Sequence, residues 1–114
     1  MEQAARLSVA RTDTAGIRVL TLRGEMDADT IGLLRHILQS DGGTSARWVL
    51  DLSGTTFMDS SAIEVLFVAR RDTAAAGGWI RMAGLTALVQ RVVEIVGLDT
   101  VIECYPTLPQ ALAA

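Results

Sequence analysis

With one cysteine, Cys104, the 114-residue chain can form neither an internal disulfide nor a thiolate zinc site. A reducing compartment is the expected setting. Histidine is equally scarce. His36 falls among Leu33, Leu34, Arg35, Ile37 and Leu38 in a helical pattern, so a catalytic triad or zinc cluster would have to be built around one imidazole. It reads as a helix-surface residue. Long apolar runs are missing too: the longest, Val65 to Ala69, falls far short of the ~20 residues that cross a bilayer. Met1 to Thr12 has no charged-then-apolar leader pattern, and a cytoplasmic location is expected. There is no basic excess either. Thirteen acidic residues against ten basic give a net charge of -3, which supplies no electrostatic footprint for nucleic acid or an anionic membrane.

Half of the residues are hydrophobic and a fifth are charged, the balance of an ordinary globular chain of one-domain length. Leu7 to Arg11 and Ile17 to Leu22 read as strands, and Thr12 to Gly16 as the hairpin loop between them. Gly24 to Thr30 reads as a loop feeding a helix whose buried stripe is Ile31, Leu34 and Leu38. Asp41-Gly42-Gly43-Thr44 stops that helix, and Trp48 to Leu52 is a short buried strand. A second helix is expected from Ser61 to Ala76, stopped by Gly77-Gly78, and then a strand from Trp79 to Met82. Leu85, Leu88, Val89, Val92, Ile95 and Val96 recur at helical spacing, with Gly97 placed for a left-handed cap. Thr100 to Cys104 reads as the last strand, and Thr107 with Gln110 as the cap of a short terminal helix. The order ββαβαβαβα over residues 1–114 predicts one α/β domain, a mixed, mostly parallel sheet with its helices mainly on one face.

Trp48 and Trp79, at strand starts, are expected to pack in the core or at a sheet edge rather than face a partner, and Cys104 to act as a small hydrophobe in a buried strand. The glycine pairs follow helices rather than opening them, so neither resembles a phosphate loop. No cofactor or metal site is indicated. Nucleophile, base and phosphate loop are never found together, so a hydrolytic or nucleotide-binding enzyme has little support.

Phe57-Met58-Asp59-Ser60-Ser61-Ala62-Ile63-Glu64 stands apart, with an acid and two hydroxyls at a strand-to-helix turn. Ser61 and Glu64 have capping-box spacing, which would leave Ser60 exposed at a helix N-terminus, a position that favours anionic charge. The following residues, Ala62 to Ala69, are apolar almost all round the helix, so some of Val65, Phe67 and Val68 are expected to remain free for docking.

This segment, with Leu22-Arg23-Gly24-Glu25-Met26-Asp27 and Thr30, Val49-Leu50-Asp51-Leu52-Ser53-Gly54 and Val92-Val93-Glu94-Ile95-Val96-Gly97-Leu98, resembles the STAS domain family, specifically the bacterial anti-sigma factor antagonists. The resemblance implies a phosphoacceptor at Ser60, with Asp27 nearby. It also implies a partner that is both anti-sigma factor and serine kinase, holds the ATP, and is bound only by the unphosphorylated form. The implied partner surface is Asp27, Asp59, Ser60, Ser61, Glu64, Val65 and Val68. The alternative is a STAS subunit that docks without phosphorylation in a transporter-associated or stressosome-like complex. Where the family has glycines after the serine turn, this chain has Ala62 and Glu64, which stiffen the turn and bring a carboxylate toward Ser60.

Overall fold

A computed structural model describes residues 6–40 and 46–114. The expected helix stop at Asp41 to Thr44 lies outside the described residues. Five strands form one sheet in the order β1-β2-β3-β4-β5: β1 (Leu7–Thr14), β2 (Ile17–Met26), β3 (Arg47–Met58), β4 (Trp79–Ala83) and β5 (Glu103–Tyr105). The β1–β2 pair is antiparallel and every later pair is parallel, giving the expected mixed sheet. Between the strands run α1 (Ile31–Ser40), α2 (Ser60–Ala75) and α3 (Ala87–Val96), and α4 (Leu108–Ala113) ends the chain.

The hairpin is tighter than the predicted loop. Thr14 pairs with Ile17, and only Ala15 and Gly16, both at positive φ, make the turn. β2 continues through Gly24 to Met26, a stretch that the sequence pattern predicts as loop. Gly24 has φ 110°, and a Cβ there would run into the Arg6 carbonyl, which accepts the Glu25 N–H at 2.7 Å. β5 is displaced toward the C-terminus, because Leu98–Thr100 forms a 3₁₀ turn that occupies the start of the predicted strand.

Leu20, Leu22, Trp48, Leu50, Leu52 and Met82 point to one face of the sheet, where Ile31 and Leu34 of α1, Leu66 of α2 and Val89 and Val93 of α3 cover them. Each is essentially removed from water, and full burial of such a side chain is worth roughly 1.5–3 kcal/mol. Trp48 is therefore a core residue. The opposite face carries Ile17, Val19, Val49 and Ala83 under Ala111 of α4, so this small helix is the exception to one-sided packing. Arg81 fastens it: the guanidinium lies 3.7 Å over the Trp79 ring, and Nη1 donates to the Ala111 carbonyl at 3.1 Å.

β3 is more than twice the predicted length. Opposite β2 it accommodates one extra residue between Asp51 and Gly54 and another between Thr55 and Phe57. Its inward residues are then Leu50, Leu52, Thr55 and Met58, so the two-residue alternation becomes a spacing of three. The fully buried Thr55 hydroxyl donates to the Leu22 carbonyl at 2.9 Å, giving a buried polar group at the irregularity its partner.

Candidate functional site

Beyond Ala83, β3 has lost β4 as a neighbour and pairs only with β2, out to the Met26–Met58 register. Both strands therefore deliver their following loops to the same end of the sheet, and the Asp59 N–H donates to the Met26 carbonyl at 3.1 Å. The two sequence motifs, one ending at Asp27 and the other starting at Asp59, become adjacent by that bond.

Asp27 organises the first loop. Its Oδ1 accepts from the backbone N–H of Asp29 at 3.0 Å and Thr30 at 3.1 Å, while its carbonyl accepts from Ile31 at 2.8 Å at the start of α1. Thr30 closes the turn by donating its hydroxyl to the Glu25 carbonyl at 2.7 Å. The second carboxylate oxygen of Asp27 faces Arg6 at 3.4 Å, and Arg6 also reaches Glu25 at 3.5 Å and Asp29 at 3.0 Å. The Asp29 hydrogen bond, and next the Asp27 charge, raise the pKa of this guanidinium above its usual value. Sequence reasoning missed Arg6, since nothing local marks a partner 23 positions away.

In the second turn the cap is Asp59, not Ser61. Asp59 has extended backbone angles, and its Oδ1 accepts from the N–H groups of Ser61 at 2.9 Å and Ala62 at 3.3 Å. The capping-box reading of Ser61 and Glu64 is thereby corrected: the helix starts one residue earlier, and Ser61 is already its second residue. Ser60 is the first residue of α2 and is exposed; its hydroxyl makes no hydrogen bond among the described residues. Ala62 is fully buried in the main core, so the methyl that replaces a family glycine is packed there. Glu64 is exposed one turn after Ser60, on the same side of the helix.

The apolar part of the expected surface divides. Val65, although part of the implied partner surface, is buried in the main core. Val68 and Phe67 are exposed. Val65 and Val68 both line an open groove of about 300 Å³ between α1 and α2, with Leu38 and Ala69. Phe57, near the end of β3, adds a third exposed apolar side chain close to the serine turn in sequence.

Cys104 is also corrected: it is exposed rather than buried in a strand interior. Neighbouring residues still desolvate the sulfur partly, and with Asp99 and Glu94 this pushes the thiol up to about 11, so it is a poor nucleophile at neutral pH. No group of side chains suited to a metal ion occurs among the described residues, and no described helix is long and apolar enough to cross a membrane.

A mixed five-stranded sheet joins an acidic loop and an exposed serine turn at one end, the frame of a small α/β domain. The chain belongs to the STAS domain family, whose model matches residues 8–111. It is similar to an anti-sigma factor antagonist from Mycobacterium paratuberculosis at 25% identity and a TM-score of 0.85, over 94% of this chain and 92% of that one. The fold is shared with the phosphorylated form of SpoIIAA, a Bacillus cell fate determinant, at 19% identity and a TM-score of 0.70, over 94% and 96% of the two chains. It recurs in the murine Slc26a9 anion transporter at 18% identity and a TM-score of 0.76, over 90% of this chain and 18% of that one.

Proposed function

We propose that this protein is a cytoplasmic anti-sigma factor antagonist. It docks on an anti-sigma factor that has serine kinase activity, frees a sigma factor for transcription, and is switched off by phosphorylation of Ser60. The ATP is the partner's. The observation that carries this reading is the exposed Ser60 hydroxyl at the first position of α2, beside the Asp27 loop. The similarity to the Mycobacterium paratuberculosis antagonist supports the partner class.

The switch follows from charge. A phosphate on Ser60 would bring a charge of about -1.5 to -2 to the Asp59 turn, within one helical turn of Glu64. Arg6, the cation of the adjoining loop, already faces three carboxylates. Desolvating that phosphate against a partner without a counter-ion is costly. Mispairing a buried interfacial charge costs ~2–5 kcal/mol, a loss of affinity of roughly 30-fold to several thousand-fold. Calorimetry against the cognate anti-sigma factor tests this. Ser60→Ala should bind like the unmodified protein and Ser60→Glu should bind poorly, and equal affinities for all three rule out a switch at Ser60.

Glu64 favours a second reading, docking without phosphorylation as a subunit of a transporter-associated or stressosome-like assembly. Its exposed carboxylate opposes phosphate at Ser60 by like-charge repulsion.

A further inference from the structure

Strand β1 is an outer edge of the sheet, with β2 as its neighbour on one side and no strand on the other among the described residues. Which of its backbone groups face outward is fixed at both ends. Arg6 and Glu25, one step before the Leu7–Gly24 pair, are hydrogen-bonded at 2.7 Å, and the two-residue turn makes Thr14–Ile17 a bonded pair as well. Bonded and non-bonded pairs alternate along the unshifted register between them, so Ser8, Ala10, Thr12 and Thr14 turn their N–H and C=O groups to β2. Leu7, Val9, Arg11 and Asp13 turn theirs to the outer edge. The usual blocks to edge pairing are missing: β1 holds no proline and no bulge, and residues 10–14 are all exposed. Arg11 and Asp13 project from the same face of the strand, with Nε of the guanidinium 3.2 Å from the carboxylate.

We propose that β1 pairs antiparallel with β1 of a second copy, joining the two sheets edge to edge across a two-fold axis at Thr12. Directly opposed residues share one backbone orientation, so the axis of such a pair passes through a residue and not between two. An axis at Arg11 or at Asp13 would set a charge against its own copy, and one at Ala10 would set Arg11 against Val9. At Thr12 the charges match. Arg11 then faces Asp13 of the second copy as a hydrogen-bonded pair, and the symmetry sets Asp13 against Arg11 of the second copy. Each charge of the resulting square has only opposite charges beside it, along its own strand and across the axis. The ladder is limited to residues 10–14 of each copy, so the dimer is weak and concentration-dependent. These residues lie toward the hairpin turn, at the other end of β2 from the Asp27 loop, and the proposal does not depend on the reading of Ser60.

Sedimentation equilibrium of the full chain tests it. The average mass should rise with protein concentration toward twice that of the monomer. Arg11→Asp and Asp13→Arg should each lose self-association, because each sets like charges across the axis. An equimolar mixture of those two variants should regain it, since the two carboxylates of the first variant would then face the two guanidinium groups of the second. Both positions are exposed, and unchanged circular dichroism excludes misfolding as the cause of a loss. A wild-type chain that stays monomeric up to roughly 1 mM overturns the proposal. So do single variants that associate as the wild type does, or a mixture that fails to associate while the wild type does.

Discussion

At Asp59 one carboxylate oxygen takes two backbone N–H groups, so the first turn of α2 depends on a single side chain. Replacing such a cap by alanine costs ~1 kcal/mol, and a change of that size moves the midpoint of a domain of this length by roughly 4 °C. Asp59→Ala should show that loss in thermal unfolding. Ser61→Ala should shift the midpoint far less, because Ser61 lies inside the helix and supplies only its N–H to the cap. Equal losses for the two variants would return the capping role to Ser61. Cys104 makes a second test at this scale. Its thiol, raised from the ordinary value to about 11 by partial burial and by Asp99 and Glu94, stays protonated at neutral pH. Alkylation of the native protein should be slow at pH 8 and quicken until about pH 11, whereas the denatured chain reacts readily near pH 9. Similar rates for native and denatured protein at pH 8 would contradict the shift.

Among the elements, α4 is short but packs on β3, β4 and β5 over the second apolar cluster. Ending the chain after Thr107 should expose Ile17, Val19, Val49 and Ala83 and lower stability by roughly 2–4 kcal/mol, with new binding of a hydrophobic dye. An unchanged unfolding midpoint would show that the sheet does not need this cover. The helices are the most legible elements. The stripe Ile31, Leu34 and Leu38 defines α1, and Gly97, at φ 77°, ends α3 as its position suggests. The helical spacing of α3 begins at Leu85, but Thr86 is its cap, accepting from the Val89 N–H and donating to the Thr55 carbonyl across the fold. β3 is legible only as far as Leu52 because its alternation stops there. The two extra residues shift Thr55 and Met58 inward, and a period-two pattern cannot register that. The serine turn stands out by its residue types. Its closeness to the Asp27 loop comes through resemblance, since the Met26–Asp59 bond is long-range.

At the scale of the molecule, protection is graded across the sheet. β2, β3 and β4 are paired on both sides and each carries residues with no exposure at all, while β5 has three residues and β1 is an edge whose outer half is exposed. Amides of β2, β3 and β4 should therefore exchange most slowly, by global unfolding. Those at the hairpin end of β1 and in β5 should exchange by smaller openings. Comparable protection for β5 and β3 would show instead that the sheet opens as one unit.

The two tryptophans lie on opposite sides of this sheet. Trp48 is sealed in the main core, its indole N–H without a hydrogen-bond partner among the described residues, and Trp79 is half-covered beneath Arg81 on the α4 side. The protein thus has two native optical reporters, one for each layer. Trp48 emits from full burial, with the Arg18 guanidinium 5.3 Å from its ring centre, and Trp79 emits from a half-covered site with Arg81 at 3.7 Å. Loss of α4 alone would redden only the second signal, so replacing either indole by phenylalanine would let intrinsic fluorescence follow one layer at a time.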